Sequence, residues 1–368
     1  MTMALLLVAV LVLAYANGAN DNFKGVATLF GSGTTNYTQA LVWAAFTTFL
    51  GSLTALFLAE TLLRNFSGKG LVPNELVQDS HYAAAVALGA GLTVLLATRI
   101  GMPISTTHAL IGALVGAGWA SGALVSFAKL ADSFFAPLLL SPLLALVLVC
   151  LVYPAFSYAR RRLGVTEQTC FCVGREVVET APLLGAEVAL ARVRVLNVEL
   201  GTEVNCARRY EGSLLGLNAA KLLDRLHFAS AGAVGFARGL NDTPKIAALL
   251  LLAPALGKVG GLALVGVVIA LGGLINARAV AETMSQKITS MNHGQGFTAN
   301  LLTACIVIGA SRFGMPVSTT HVSCGALFGI GIVSRQAHSG MIGKILGAWV
   351  TTLPLGAALG AASFYLLP

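Results

Sequence analysis

Long apolar stretches alternate with short polar breaks along most of the chain. They cover residues 3–18, 38–59, 82–98, a broken stretch at 99–120 and 134–158, and later 227–252, 259–281, 296–311, a broken stretch at 312–333 and 341–367. A helix needs about 20 mainly apolar residues to cross a bilayer. The pattern predicts an all-α polytopic membrane protein with about 10–12 transmembrane segments.

The charge distribution divides the chain into three parts. Only 10% of the 368 residues are charged, against about 25% in soluble globular proteins. Of the 38 charged residues, 18 lie within residues 159–226. We therefore expect a first transmembrane half at 1–158, an extramembrane insertion at 159–226 and a second transmembrane half at 227–368.

The insertion begins with Arg160-Arg161-Arg162, directly after an apolar stretch, which places it on the cytoplasmic side by the positive-inside rule. Apolar residues alternate within 187–210, which predicts some β content. Cys170, Cys172 and Cys206 could form a thiol or metal site, but this cluster is weak because it lacks the usual metal-ligand spacing, so no transition metal is expected. The net charge of +8 is scattered, which argues against nucleic-acid binding.

The two halves repeat each other. Residues 99–108 and 312–321 are identical at eight of ten positions, and two shorter matches precede them in the same order. These are Asn20-Asp21 with Lys24 against Asn241-Asp242 with Lys245, and Glu60-Thr61 against Glu282-Thr283. An odd number of crossings in each half would give an inverted-topology repeat.

Four pairs of ionisable residues match across the repeat: Asp21/Asp242, Lys24/Lys245, Glu60/Glu282 and Arg99/Arg312. Each charge costs about 2.5–3.5 kcal/mol at the bilayer centre. They must therefore face a polar cavity, pair within the protein or lie near helix ends. Direct roles for the lysines and arginines are as plausible as structural ones.

Two polar segments, 17–22 and 238–244, combine Asn, Asp and Gly, with a proline in the second. Such residues interrupt helices, and an interruption is tolerated in a membrane where it lines a cavity. Carboxylate, amide and freed carbonyl oxygens suit a small cation. We predict sodium sites at Asn20 and Asp21 (the first acidic site) and at Asn241 and Asp242 (the second acidic site), with a proton-accepting aspartate as the alternative.

The two hydroxyl triplets, Ser105-Thr106-Thr107 and Ser318-Thr319-Thr320, each follow Gly-Met-Pro-x. Proline favours the first turn of a helix, where free N–H groups and the helix dipole attract an anion. The alternative is that the hydroxyls only cap their helices. His108 and His321, which follow the triplets, could shuttle a proton, contact a ligand or bond a backbone carbonyl.

These motifs resemble those of the inorganic phosphate transporter (PiT) family of sodium- or proton-coupled phosphate permeases. The resemblance rests on Gly18-Ala19-Asn20-Asp21, on residues 239–245 and on both hydroxyl triplets. It implies outward-facing termini, cation sites at the two acidic sites and phosphate contacts from the triplets. Some bacterial relatives carry sulfate, which leaves the substrate open.

We therefore predict a multi-pass cell-membrane symporter that imports phosphate with sodium by alternating access, with sodium ions as coupling ions and no other cofactor. A sulfate permease and a proton-coupled symporter are the alternatives, and a homo-oligomer is open. An intramembrane metal-dependent hydrolase is disfavoured, since the sequence has neither His-Glu-x-x-His nor Gly-x-Ser-x-Gly.

Overall fold

The computed structural model describes residues 2–180, 191–202, 215–253 and 256–368. The chain forms two compact units: Met1–Tyr153 with His227–Pro368, and Pro154–Leu226. The larger unit is helical, and it contains every residue that we predict for the site.

Ten helices of 15 residues or more occur in the described ranges: α1 (Thr2–Asp21), α2 (Tyr37–Leu58), α3 (Ser80–Arg99), α4 (Thr106–Ala120), α5 (Ala136–Arg162), α6 (Ala219–Ala247), α7 (Gly257–Asn276), α8 (His293–Arg312), α9 (Thr319–Ser334) and α10 (Ser339–Leu366). Shorter helical segments are Asn22–Gly25, Ala27–Gly31, Glu60–Asn65, Asn74–Val77, Phe127–Leu130, Ala131–Phe135, Ala248–Leu252, Arg278–Glu282 and Thr283–Lys287. Among the described residues, six helices are long and apolar enough to cross a membrane: α1 with its extension to Gly25, α2, α3, α5, α7 and α10. The predicted all-α polytopic class is confirmed.

The order of elements repeats between the halves. Helices α3 and α8 both have 20 residues and end at an arginine, and each is followed by a break and then by a helix that carries a hydroxyl triplet, α4 or α9. The opposite orientation of the halves stays a prediction.

One predicted interruption is wrong. Asn241, Asp242, Thr243 and Pro244 all lie inside α6, whereas α1 does end at Asp21 and a 3₁₀ turn follows it. Proline removes one backbone hydrogen bond, and this loss alone does not end a helix whose neighbours hold it. The Thr243 hydroxyl, for example, lies 2.7 Å from that of Ser52 on α2.

The prediction that proline opens the hydroxyl-bearing helices is also wrong. Pro103 and Pro316 lie in non-helical segments, and the helices begin at Thr106 and Thr319. The N-cap residues are Ser105 and Ser318, whose hydroxyls accept the backbone N–H groups of His108 and His321 at 3.1 and 3.2 Å. These caps fix the helix starts three residues beyond the prolines.

Helices from the two halves are interleaved in the larger unit. Helix α10 packs closely on α4, and a Cβ at Gly116 of α4 would lie 1.9 Å from the carbonyl oxygen of Ala357. The equivalent contact joins α9 and α5, where a Cβ at Gly325 would lie 2.3 Å from the carbonyl oxygen of Pro142. The last helix of each half therefore packs on the hydroxyl-bearing helix of the other half.

The smaller unit contains an antiparallel sheet of strands β1 (Thr169–Thr180), β2 (Ala191–Thr202) and β3 (Leu215–Asn218), in the order β2-β1-β3. Strand β2 agrees with the β content that alternation within 187–210 predicts. Residues 187–190 and 203–210, which include Cys206 of the weak cysteine cluster, lie outside the described residues.

Candidate functional site

The two acidic sites and the two hydroxyl triplets meet in a buried polar cluster of the larger unit. Among the residues that the structure describes, five Asp, Glu, Lys or Arg residues are buried, each at most 4% exposed: Asp21, Lys24, Arg238, Asp242 and Lys245. All five belong to this cluster. Burial of charge is costly unless each group is paired, so the hydrogen-bond partners of these residues define the site.

At the first acidic site, Lys24 is the central donor. Its ammonium group forms an ion pair with Asp21 and donates to Asn20 Oδ1 at 2.8 Å and to the carbonyl oxygen of Ile104 at 2.9 Å. The Asn20 amide in turn donates to Thr98 Oγ1 at 2.9 Å. The predicted pair, Asn20 and Asp21, is therefore brought together around an ammonium group.

The second acidic site repeats this arrangement. Lys245 Nζ lies 3.3 Å from Asp242 Oδ1 and donates to the carbonyl oxygen of Val317 at 2.7 Å. Asn241 donates to the same carbonyl at 3.1 Å and accepts from Ser311 Oγ at 3.3 Å. Since Ser311 and Val317 occupy the repeat positions of Thr98 and Ile104, the two sites share one design.

The threonines of the triplets connect the two sites. Thr106 and Thr319 each donate to the aspartate of their own half, at 2.9 and 3.3 Å. The next threonine in each triplet contacts the lysine of the other half. Lys24 donates to Thr320 Oγ1 at 2.7 Å, and Lys245 donates to Thr107 Oγ1 at 2.8 Å.

The free carbonyl oxygens that we predicted for cation binding come from a different segment than expected. They belong to Ile104 and Val317, in the non-helical segments just before the hydroxyl triplets. Because α6 remains helical through Asn241 and Asp242, its own carbonyl groups are not the source. Ile104 and Val317 each directly follow the proline of their Gly-Met-Pro-x segment.

Arg238 is a site residue that the sequence reasoning missed. Its guanidinium donates to Asn17 Oδ1 at 2.6 Å and to Asn22 Oδ1 at 2.8 Å, and it lies 3.8 Å from Asp242 Oδ2. Asn17 links Arg238 to the first acidic site, because the Asn17 amide donates to Asp21 Oδ2 at 2.8 Å. The signal was present in the sequence: Arg238 and Asn17 occupy equivalent repeat positions, four residues before each aspartate.

His108 and His321 lie side by side behind the triplets, with ring centroids 4.5 Å apart. The ring of His321 also stacks on Trp349 of α10 at 3.8 Å. Atoms Nδ1 of His108 and Nε2 of His321 are buried without a hydrogen-bond partner. The structure thus brings the histidines together next to the site, and their roles stay predictions.

The remaining repeat pairs lie apart from the cluster. Arg99 and Arg312 are the exposed last residues of α3 and α8, which is the helix-end placement that the sequence allowed. Glu60 pairs with Arg64 at 3.1 Å and lies 3.6 Å from Lys258; the hydrogen bond from Arg64 holds the pKa of Glu60 below its usual range. Glu282 pairs with Arg278 at 3.4 Å and is partly exposed.

Comparison with known proteins places this geometry in context. The sequence pattern of the phosphate transporter family matches residues 17–360. A Rhizobium meliloti protein named "Probable low-affinity inorganic phosphate transporter" is 29% identical, with 95% of this chain and 92% of that protein covered. The chloroplastic inorganic phosphate transporter 2-1 of Arabidopsis thaliana is 26% identical over 94% of this chain and 69% of its own.

A solved structure titled "The sodium-dependent phosphate transporter" has the same fold. The TM-score is 0.75 at 20% identity, and the match covers 100% of this chain and 98% of the other. The family resemblance of the motifs, the membrane location and the class of transporter rather than enzyme are confirmed. The sidedness of the termini and the insertion stays a prediction.

Proposed function

The chain belongs to the phosphate transporter family, and from this premise we propose that it imports inorganic phosphate by secondary active transport, with a co-transported cation and by alternating access between its halves. The observation that carries the proposal is the reciprocal contact of the halves. Lys24 donates to Thr320, and Lys245 donates to Thr107. Both acidic sites and both hydroxyl-bearing helix starts therefore lie in one buried cluster, as a shared site between moving halves requires.

The charge of the cluster supports an anionic substrate. Three buried cations, Lys24, Arg238 and Lys245, face two carboxylates, Asp21 and Asp242, so the cluster has an excess of one positive charge when all five are ionised. An uncompensated buried charge is unfavourable, and a bound anion would balance it. The hydroxyls of Thr107 and Thr320 can turn to donate to phosphate oxygens, because a hydroxyl both donates and accepts.

Energetics favour coupling to a cation. Moving one charge against 100 mV costs about 2.3 kcal/mol, so a dianion entering an inside-negative cell costs about twice as much. Sodium at Asn20, Asp21, Asn241 and Asp242 is the coupling ion that the sequence predicts, and the proton is the alternative. The ammonium groups of Lys24 and Lys245, which lie at the two acidic sites, bear on the choice between sodium and the proton.

Phosphate must be distinguished from sulfate. Hydrogen phosphate carries an O–H group that needs a hydrogen-bond acceptor, whereas sulfate has no O–H group. The carboxylates of Asp21 and Asp242, each in contact with a threonine hydroxyl, could accept it. We therefore favour phosphate over sulfate.

The experiment that tests the proposal is uptake of radiolabelled phosphate into proteoliposomes, with unlabelled sulfate as competitor and with sodium replaced by choline. We expect saturable, uphill uptake that sulfate inhibits weakly. Asp21→Asn and Asp242→Asn should uncouple uptake from the cation gradient. The proposal would be rejected if phosphate moved only down its own concentration gradient, or if sulfate inhibited uptake as strongly as unlabelled phosphate.

A further inference from the structure

We propose that Lys24 and Lys245 act as tethered cations, each of which takes the position of a coupling sodium ion at its acidic site, so that this chain carries its anion without sodium. The inference rests on the proposed function only for the identity of the anion, and it leaves the proton, the alternative given above, as the co-transported cation. It makes the two lysines determinants of ion specificity.

The first observation is the set of atoms around Lys24 Nζ. Its four oxygen partners are the Asp21 carboxylate, the Asn20 amide, the Ile104 carbonyl and the Thr320 hydroxyl, the last three at 2.7–2.9 Å. Carboxylate, amide, carbonyl and hydroxyl oxygens are the ligands by which proteins hold small hard cations. A sodium ion could use this set only if it displaced the ammonium group.

The second observation is that Lys245 repeats three of these four contacts in the other half. Its ammonium group contacts the Asp242 carboxylate, the Val317 carbonyl and the Thr107 hydroxyl. A chance ion pair would not recur with a backbone carbonyl from its own half and a hydroxyl from the opposite one. The recurrence indicates that the cation position itself is repeated and that a lysine supplies the cation in each copy.

The third observation is the fixed charge of the cluster. With Arg238 included, the buried cations already outnumber the buried carboxylates by one. Two added sodium ions would raise the excess to three positive charges, which a phosphate dianion would not neutralise. Without sodium, the excess of one positive charge is balanced by a phosphate monoanion, and Arg238, which has Asn17 at its repeat position, supplies that charge.

The placement of each lysine explains how it reaches the site. Lys24 and Lys245 both lie three residues after their aspartate, which in helical backbone puts the two side chains on one face. Both lysines are almost completely buried, so their ammonium groups lie within the cluster rather than in bulk solvent.

The test uses the full chain, purified and reconstituted, as the wild type and as a double variant, Lys24→Ala with Lys245→Ala. Binding of radioactive sodium, the thermal unfolding temperature in sodium or choline chloride, and radiolabelled phosphate uptake are measured for both. For the wild type we expect no saturable sodium binding, and uptake rates within about twofold in sodium and choline. In the variant, where space and oxygens become available, sodium should bind, raise the unfolding temperature and stimulate uptake at least about tenfold.

A second arm uses methylammonium, which is small enough to replace the missing ammonium groups. It should restore uptake by the double variant in choline medium and leave the wild type unchanged. Lys258→Ala removes an exposed lysine that pairs with Glu60, and it should behave as the wild type in every assay.

Saturable sodium binding to the folded wild type, or a folded double variant that responds to neither sodium nor methylammonium, would overturn the inference. The wild-type binding measurement decides even if the double variant fails to fold. If no gradient drives phosphate uptake by the wild type, the proposed function fails, whereas sodium binding by the variant still tests the lysines.

Discussion

The ammonium group of Lys24 donates a 2.7 Å hydrogen bond to the hydroxyl of Thr320, a residue 296 positions later in the chain. Lys245 of the second half donates the equivalent hydrogen bond to the hydroxyl of Thr107 in the first half, at 2.8 Å. Each acidic site is thus completed by the opposite half. Any motion that separates the halves must break both contacts together, which couples the state of the site to the arrangement of the halves.

We predict that Thr320→Val and Thr107→Val each raise the KM for phosphate by about tenfold or more. Valine keeps the shape of threonine but leaves a buried ammonium group one acceptor short, and hydrogen bonds to charged groups contribute about 1.5–3 kcal/mol. Uptake in proteoliposomes measures the effect. Thr351→Val is the matched control, because the exposed Thr351 hydroxyl only bonds carbonyl groups of its own helix. Equal KM values for all three variants would contradict the assignment.

Arg238→Leu should strongly destabilise the protein. The substitution leaves Asp242 with one cation fewer and removes the partner of Asn17 and Asn22, and breaking a buried ion pair typically costs about 3–5 kcal/mol. Thermal unfolding in detergent provides the measurement. As a control, Arg64→Leu removes an arginine whose side chain is 75% exposed, and it should shift the midpoint only slightly. Similar midpoints for the two variants would show that Arg238 is not a structural link.

Gly116→Ala should destabilise the contact between α4 and α10 by about 1–3 kcal/mol, because the added methyl group would overlap a backbone carbonyl that cannot move aside. At Gly347 of α10 a Cβ would meet nothing within 4 Å, so Gly347→Ala should be neutral or slightly stabilising. The unfolding midpoints of the two alanine variants, measured side by side, check this. A midpoint for Gly116→Ala at or above that of Gly347→Ala would refute the close contact.

Glu60→Gln and Glu282→Gln should both leave phosphate uptake close to that of the wild type. The carboxylates of these residues contact arginines on the same short helices and do not reach the buried cluster. KM and maximal rate, compared with those of Asp21→Asn, provide the measurement. A loss of uptake in either glutamine variant as large as that in Asp21→Asn would return the glutamates to the site.

Much of the fold follows from the sequence because bilayer physics leaves few options. Apolar stretches of fixed length must be helices, and a repeated sequence must give a repeated series of elements. The helix starts at Thr106 and Thr319 differ from the prediction because capping by serine, a local side-chain choice, outweighed the preference for proline in the first turn. The continuous α6 differs because contacts from α2 support the helix around Pro244.

For the site, the residue types were predictable and their partners were not. Asp21, Asp242 and the hydroxyl triplets were identified because polar residues within apolar segments are costly and therefore conspicuous. The crossing of Lys24 to Thr320 and the role of Arg238 depend on how the halves are interleaved. No local pattern encodes that arrangement, although the departure from the repeat at Arg238 and Asn17 pointed to it.

The interleaving of α4 with α10 and of α9 with α5 also constrains how the protein is made. A ribosome completes α4 more than 200 residues before it reaches α10, so the glycine face of α4 is without this partner until α10 has been synthesised. The buried charges of the first half likewise lack their second set of contacts until α9 has been inserted. The site is therefore among the last parts of the structure that can be completed, and a chain that stops before α10 should lack the packing partner of α4.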